Sequence, residues 1–231
     1  MNELPVLDHG YVKLLNISGP FHHGKPYNVD DTDPANTARM SFDQTGTKTR
    51  AEDLKLVDYL ITHSHTTPVE MIQVWLEMKL PIFVARQFVR HRTVSINEVS
   101  ARYTKLPNEY YLPDLKHITT KSPSNKQGRS SEQHPDALAF QTSLDLICQR
   151  AYIDYEYFLS RGVAPELCRT LLPVNFYTKW IWRQDLHNLL HFISLRKDHH
   201  AQWEAQQYAL AIEKLLSFHV PNIISVSQRK P

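Results

Sequence analysis

The chain has 231 residues, 42% of them hydrophobic and 10% aromatic, with a formal net charge of +2. That much apolar mass excludes a disordered chain and suffices for a core burying roughly 70% of the unfolded surface. The balance of 26 basic against 24 acidic residues excludes a histone-like or polybasic protein, so any anion site must come from local clustering.

Residues 1–8 carry no basic segment followed by an apolar run, so no secretory signal is expected there. The polar stretch from Ser18 to Asp33 reads as loop. Asp53 to Thr62 has helical spacing, with Leu54, Val57, Leu60 and Ile61 on one side. Pro68 opens a short turn of helix. From Gln73 to Leu80 the period changes to two, with Val74, Leu76, Met78 and Leu80 alternating with polar residues and Trp75, which predicts a half-buried strand. Pro81 ends it and starts a helix, Ile82 to about Val89. Arg90 to Tyr103 has no clean period. Residues 119–134 are polar and read as a mobile surface insertion. Pro135 to Arg161 reads as a long helix with Ala137, Phe140, Leu144, Ile147, Ala151, Tyr155 and Phe158 as its apolar face, stopped by Gly162. Pro165 to Leu171 is a short helix that Pro173 breaks. Val174 to Trp182 reads as a strand. Asp185 is the predicted N-cap of a helix to about Arg196, and a last long helix runs from about His200 to Phe218, with Pro221 beyond it. Helices mixed with few strands predict an α+β fold with a small, mostly antiparallel sheet, in one domain over residues 1–231.

Six glycines without G-x-G-x-x-G spacing disfavour a Rossmann phosphate turn. Gly19 to Lys25 has P-loop glycine spacing, but Pro26 stands where a hydroxyl must meet magnesium, and no apolar strand precedes it. His187 and His191 share a helix face as in zinc proteases, yet Asn188 replaces the general base, so no metal is expected. Cys148 and Cys168 are too few for a disulfide framework, fit a reducing compartment, and sit in apolar helical patterns that suit inert thiols better than nucleophiles. No stretch approaches about 18 uninterrupted apolar residues, so a cytoplasmic protein without membrane contact is expected.

The densest polar cluster runs from Arg90 to Tyr103, preceded by Arg86 and Gln87. Clustered guanidinium groups repel unless anions neutralise them, and their forked N–H groups suit phosphate oxygens, while Glu98 suits sugar hydroxyls or ring N–H groups. The same residues, Arg86, Arg90, Arg92, Arg102 and Tyr103, also fit a basic, stacking RNA-binding face, and a salt-bridged helix end is the plainest alternative. A second cluster, Leu195 to Glu204, joins two predicted helices and offers either caps or ligand contacts.

At these residues the sequence resembles the flavin-dependent thymidylate synthases. Arg90-His91-Arg92, seven residues and then Ser100 matches the family hallmark. Supporting segments follow in family order: Ala38 to Phe42, His65 to Glu70, Pro81 to Gln87, Ala164 to Arg169 with Leu172-Pro173, and Leu195-Arg196 through Ala209. The resemblance covers roughly residues 5–220 and implies an α+β subunit of a homotetramer that converts dUMP to dTMP. It further implies FAD as cofactor, with methylenetetrahydrofolate and NADPH as co-substrates, and no cysteine nucleophile. By position, Gln87, Arg90, Glu98, Ser100, Arg102, Arg169 and Arg196 would hold dUMP. Arg196, against the uracil, is the residue nearest to catalysis. Ser41, Thr67, Glu70, Arg90, His91, Arg92, Glu98, Asp185, His187, His191 and His200 would lie on the FAD side. His65 and Tyr103 match active-site positions without an assigned role. Asp185-Leu186-His187 stands where many members carry Asn-x-Arg, and His191 where they carry Asn.

Overall fold

The computed structural model describes residues 2–24, 27–43, 45–46, 48–123, 125 and 128–229. Its centre is an antiparallel sheet in the order β1-β2-β3-β7-β4. The strands are β1 (Glu3–Val6), β2 (Gly10–Ser18), β3 (Gln73–Pro81), β4 (Val94–Glu98) and β7 (Tyr177–Asp185). A second, two-stranded sheet pairs β5 (Thr119–Lys121) with β6 (Arg129–Gln133).

The alternation in β3 sets the layers. Val74, Leu76, Met78 and Leu80 are buried and lie opposite Gln184, Trp182, Trp180 and Thr178 of β7, which are buried too. Period-two alternation on both strands therefore builds one inward face. Helices α7 (Leu186–Lys197) and α8 (Trp203–Leu216) supply apolar residues to the same core, and Trp182 meets Phe192 of α7 at 5.4 Å between ring centroids. Asp185 caps α7, its Oδ1 accepting from the Asn188 backbone N–H at 2.9 Å, as predicted. Helix α4 (Ile82–Phe88) starts directly after Pro81, so it leaves the end of β3 and buries Phe88 against Phe192.

On one flank lie α1 (Asp33–Arg39), α2 (Arg50–Thr62) and α3 (Thr67–Glu70). Thr49 and Glu52 close a capping box on α2, three residues before the predicted start. On the other, α5 (Ala137–Ser160) and α6 (Pro165–Cys168) cover a small second core of Cys148, Tyr152, Tyr155, Cys168 and Phe176. Gly162, with φ at +80°, occupies the left-handed position just past α5. Helix α9 (Pro221–Gln228) closes the described chain.

Several expectations change. β1, β2 and α1 form where no element was predicted, and so does α9, which begins at Pro221 as its first-turn proline. β4 forms in the segment read as having no clean period; Val94 and Ile96 pack on the core while Ser95 and Asn97 are exposed, an alternation too short to stand out in the longer polar segment. The polar insertion is a hairpin, not a loop: Arg129 of β6 reaches Glu204 of α8 at 2.9 Å and lies over the Trp203 ring. Of the apolar face predicted for α5, Ala137 and Tyr155 are buried but Phe140, Ile147 and Phe158 are turned outward, and Cys148 and Tyr152 join the core instead.

Gly10 marks where three elements converge. A Cβ there would stand 2.1 Å from the Tyr208 hydroxyl and within 2.8 Å of the Val6 and Lys79 carbonyl oxygens. Gly10→Ala is expected to cost about 1–3 kcal/mol of stability as an overpacked site, read as a lower urea midpoint. An unchanged midpoint would contradict the close approach.

Candidate active site

The predicted residues fall into three groups. The first forms at the end of α4. Arg196, in the last turn of α7, donates its Nε–H to Nε2 of His91 at 3.1 Å and its Nη2–H to the Gln87 carbonyl at 3.0 Å. The Gln87 side-chain amide in turn donates to Oε1 of Gln202, at the N-cap of α8. Arg90 and Arg92 flank His91, both exposed. Among the described residues no carboxylate pairs with Arg90, Arg92, Arg169 or Arg196, although Arg39, Arg102 and Arg129 each have one.

Burial, then the Arg196 charge, then His191 push the His91 imidazole down to a pKa of about 4. It is neutral near pH 7, and its acceptor role at Nε2 puts the proton on Nδ1. Burial and the nearby Arg90 lower the Arg196 guanidinium somewhat from its usual range. It stays charged at any working pH.

The second group lies where β4 ends. Glu98 accepts from the Thr178 hydroxyl at 2.5 Å, and the Val99 N–H donates to the Lys179 carbonyl. A cavity of about 310 Å³ brings Glu98, Ser100 and Arg169 together with Leu106, Leu172 and Thr178. Arg102 turns to Glu166 at 3.2 Å, and Tyr103 is 82% exposed.

The third group surrounds a narrower cavity of about 160 Å³ between the end of α2, α3 and α7. His65, Thr66, His187, His191 and Ser194 line it. Thr67 and Glu70 stand on α3 beside it, and Ser41 lies in the 3-10 turn Met40–Phe42 that follows α1. The Asp185 carboxylate is engaged with Asn188, so its visible task is to cap α7. His200 is set apart from these groups: its backbone N–H and its Nδ1 both lie 2.8 Å from Asp198 Oδ1. Asp198, His199 and His200 bring donor atoms within 4.8 Å of one another on the exposed surface. His187 and His191 line a cavity and belong to no metal-spaced cluster among the described residues.

The cysteines take no part in these groups. Cys148 is fully buried, its thiol pushed up by burial and bonded to Asn175, and Cys168 donates to the Val163 carbonyl. In the loop with P-loop spacing, His23 lies 2.7 Å from the buried Asp33, and Lys25 and Pro26 lie outside the described residues. Four polar residues of these groups were missed in the sequence: Gln202, Thr178, Ser194 and Thr66. Thr178 and Ser194 carried no motif signal, and Gln202 lay inside the Leu195 to Glu204 cluster without a distinguishing feature.

The family described as thymidylate synthase complementing protein matches residues 27–222, a span that contains all three groups. The chain belongs to this family. A flavin-dependent thymidylate synthase of Ehrlichia ruminantium is 44% identical over 220 residues, covering 95% of this chain and 70% of that protein. One of Thermus thermophilus is 43% identical over 222 residues, covering 94% and 75%. The fold is similar to that of a UMP/dUMP methylase, PolB of Streptomyces cacaoi, solved with 5-Br dUMP. The TM-score is 0.85 with 24% identity, over 98% of each chain. Family membership and fold thus agree with the α+β architecture, and no helix among the described residues is long and apolar enough to cross a membrane.

The fold holds His91 neutral, whereas an unfolded histidine protonates near 6.5. The unfolded chain therefore binds the extra proton between about pH 6.5 and 4, and this site's contribution to stability falls as pH drops through that window. Nitrogen-15 spectra of the His91 ring are expected to report a neutral ring with the proton on Nδ1 down to about pH 4. In Arg196→Ala the midpoint is expected to rise, because a neighbouring positive charge is gone. A midpoint that stays in place would refute the pairing.

Proposed function

We propose that the chain is a flavin-dependent thymidylate synthase that methylates dUMP to dTMP. Methylenetetrahydrofolate is the one-carbon donor, and NADPH reduces the bound FAD. The observation that carries this reading is the set of guanidinium groups, Arg90, Arg92, Arg169 and Arg196, that have no carboxylate partner among the described residues, within a chain of this family. Relatives at 44% and 43% identity bear the name of that activity.

The residues fit such a cofactor and substrate by chemistry. Arg90, His91 and Arg92 would hold FAD through its phosphates, with Ser41, Thr67, Glu70, Glu98, Asp185, His187, His191 and His200 on the same side. Asp185 acts there through α7, whose start it fixes. Gln87, Arg90, Glu98, Ser100, Arg102 and Arg169 would hold dUMP, chiefly its phosphate and deoxyribose. The cavity shared by Glu98, Ser100 and Arg169 supports that placement, combining an anion-binding cation with groups for sugar hydroxyls. FAD, when bound, supplies the redox chemistry. Arg196 meets the uracil and stabilises negative charge developing on the ring without moving a proton. His65 and Tyr103 belong to the site without an assigned step. The sealed thiols Cys148 and Cys168 favour a reaction without a cysteine nucleophile and fit a cytoplasmic setting.

Self-association follows the same reading. Leu138, Leu146, Ile147, Ile153 and Tyr157 of α5 are all more than half exposed, an apolar helix surface that suits burial against other copies. We place residues 1–231 in one domain of a homotetramer, with the hairpin at 119–134 as an insertion and with sites between subunits. Nothing favours the RNA-binding alternative: Arg102 of that cluster is paired with Glu166.

The purified protein is expected to be yellow and to release tritium from 5-tritiated dUMP only when NADPH and methylenetetrahydrofolate are both present. Colourless protein that takes up no FAD would overturn the reading. Arg196→Ala should leave FAD binding intact and lower turnover at least ~100-fold, the scale of losing one preorganised charge contact; turnover near wild type would remove its role. Ser100→Ala should raise the KM for dUMP more than it lowers kcat, and the reverse pattern would reassign Ser100 to the chemistry.

A further inference from the structure

We propose that His91 is the positioning residue of Arg196: its neutral imidazole accepts the Nε–H, fixes the plane of the guanidinium, and leaves the whole positive charge available to the substrate. The proposal rests on the catalytic reading of Arg196 given above.

Arg196 is a long, half-buried side chain at the end of α7. Left alone it would sample many rotamers. Two acceptors hold it from one side, Nε2 of His91 at 3.1 Å and the Gln87 carbonyl at 3.0 Å. Together they engage Nε and Nη2, and Nη1 has no protein partner among the described residues. A planar group fixed at two atoms has its third edge aimed.

The imidazole is itself fixed. The His91 backbone N–H donates to the Phe88 carbonyl at 3.0 Å, which anchors the residue, and the ring stands edge-on to Phe192 at 4.8 Å. Phe192 and Arg196 are four residues apart on α7, hence on one face of it. That face packs the imidazole with one side chain and bonds it with the other. Gln87 is tied to Gln202, so the second acceptor is braced from α8.

The chemical type of the acceptor matters. A carboxylate at position 91 would hold the guanidinium at least as firmly, but its charge would cancel the field that the reaction draws on. A neutral imidazole and a carbonyl orient the cation without neutralising it. The other cations placed in the same cluster, Arg90 and Arg92, also have no carboxylate partner among the described residues.

The test uses FAD-loaded enzyme carrying His91→Phe, His91→Gln, Arg196→Ala or His91→Phe with Arg196→Ala, assayed at saturating FAD. Phe keeps the packing on Phe192 and cannot accept a hydrogen bond; Gln offers an uncharged oxygen. His91→Phe is expected to lower kcat by about tenfold or more with the KM for dUMP changed less than about threefold, the signature of a contact felt mainly in the transition state. His91→Gln should recover most of that loss. On the Arg196→Ala background, His91→Phe should add less than about twofold, because residues acting as a unit are not additive. In nitrogen-15 spectra, the Arg196 Nε–H should exchange slowly in wild type and rapidly in His91→Phe.

Equal losses in the Phe and Gln variants, or a full further loss on the Arg196→Ala background, would overturn the positioning role and leave His91 as a cofactor contact. An unprotected Nε–H in wild type would overturn it without reference to activity. If Arg196→Ala alone turned over normally, the catalytic reading would fall, and the Nε–H exchange would still decide whether His91 holds Arg196.

Discussion

Arg196 keeps an uncompensated charge in a half-buried position because both of its protein acceptors, the His91 imidazole and the Gln87 carbonyl, are uncharged. Much of the surrounding structure serves that contact. Burial raises the cost of the charge, so the guanidinium must be fully hydrogen-bonded or must await an anion. Arg90, Arg92 and Arg169 are exposed, so water solvates their charges. Their mutual repulsion is tolerable at the surface of a chain with a net charge of only +2, since the excess is confined to one region.

The sheet explains how such a cluster is assembled from distant segments. β3 runs into Pro81, which begins α4; α4 ends at Phe88 and releases Arg90 to Arg92; the chain then returns as β4 beside β7. β7 continues through Asp185 directly into α7, whose last turn brings Arg196 back to His91. One strand pair, β4 with β7, therefore holds Glu98 against Thr178, and the helix leaving β7 holds Arg196 against His91. The core pairs of Leu76 with Trp182 and Met78 with Trp180 set the register on which both contacts rely. A slip of one residue there would turn the apolar face of one strand away from that of the other.

The peripheral features divide between anchoring and exposure. Arg129 draws the hairpin of β5 and β6 onto Glu204, while the apolar residues of α5 remain open to solvent. The Arg129 interaction is a paired, partly buried charge.

The sequence alone determined the elements whose periodicity is local. The strict alternation of β3, the helix after Pro81, the Asp185 cap and the glycine stop after α5 all rest on neighbours within a few residues. It also singled out the candidate residues, because Arg90, His91, Arg92 and Ser100 fall in one short motif and Arg196 in a recognisable segment. Only the tertiary structure decided what those residues do to one another. The alternation of β4 spans only Val94 to Asn97, too short to read within a longer polar segment, and the exposed face of α5 carries the same apolar residues that a core helix would. Above all, the bond from Arg196 to His91 joins residues 105 positions apart, and no spacing along a chain encodes a contact made by folding across a sheet.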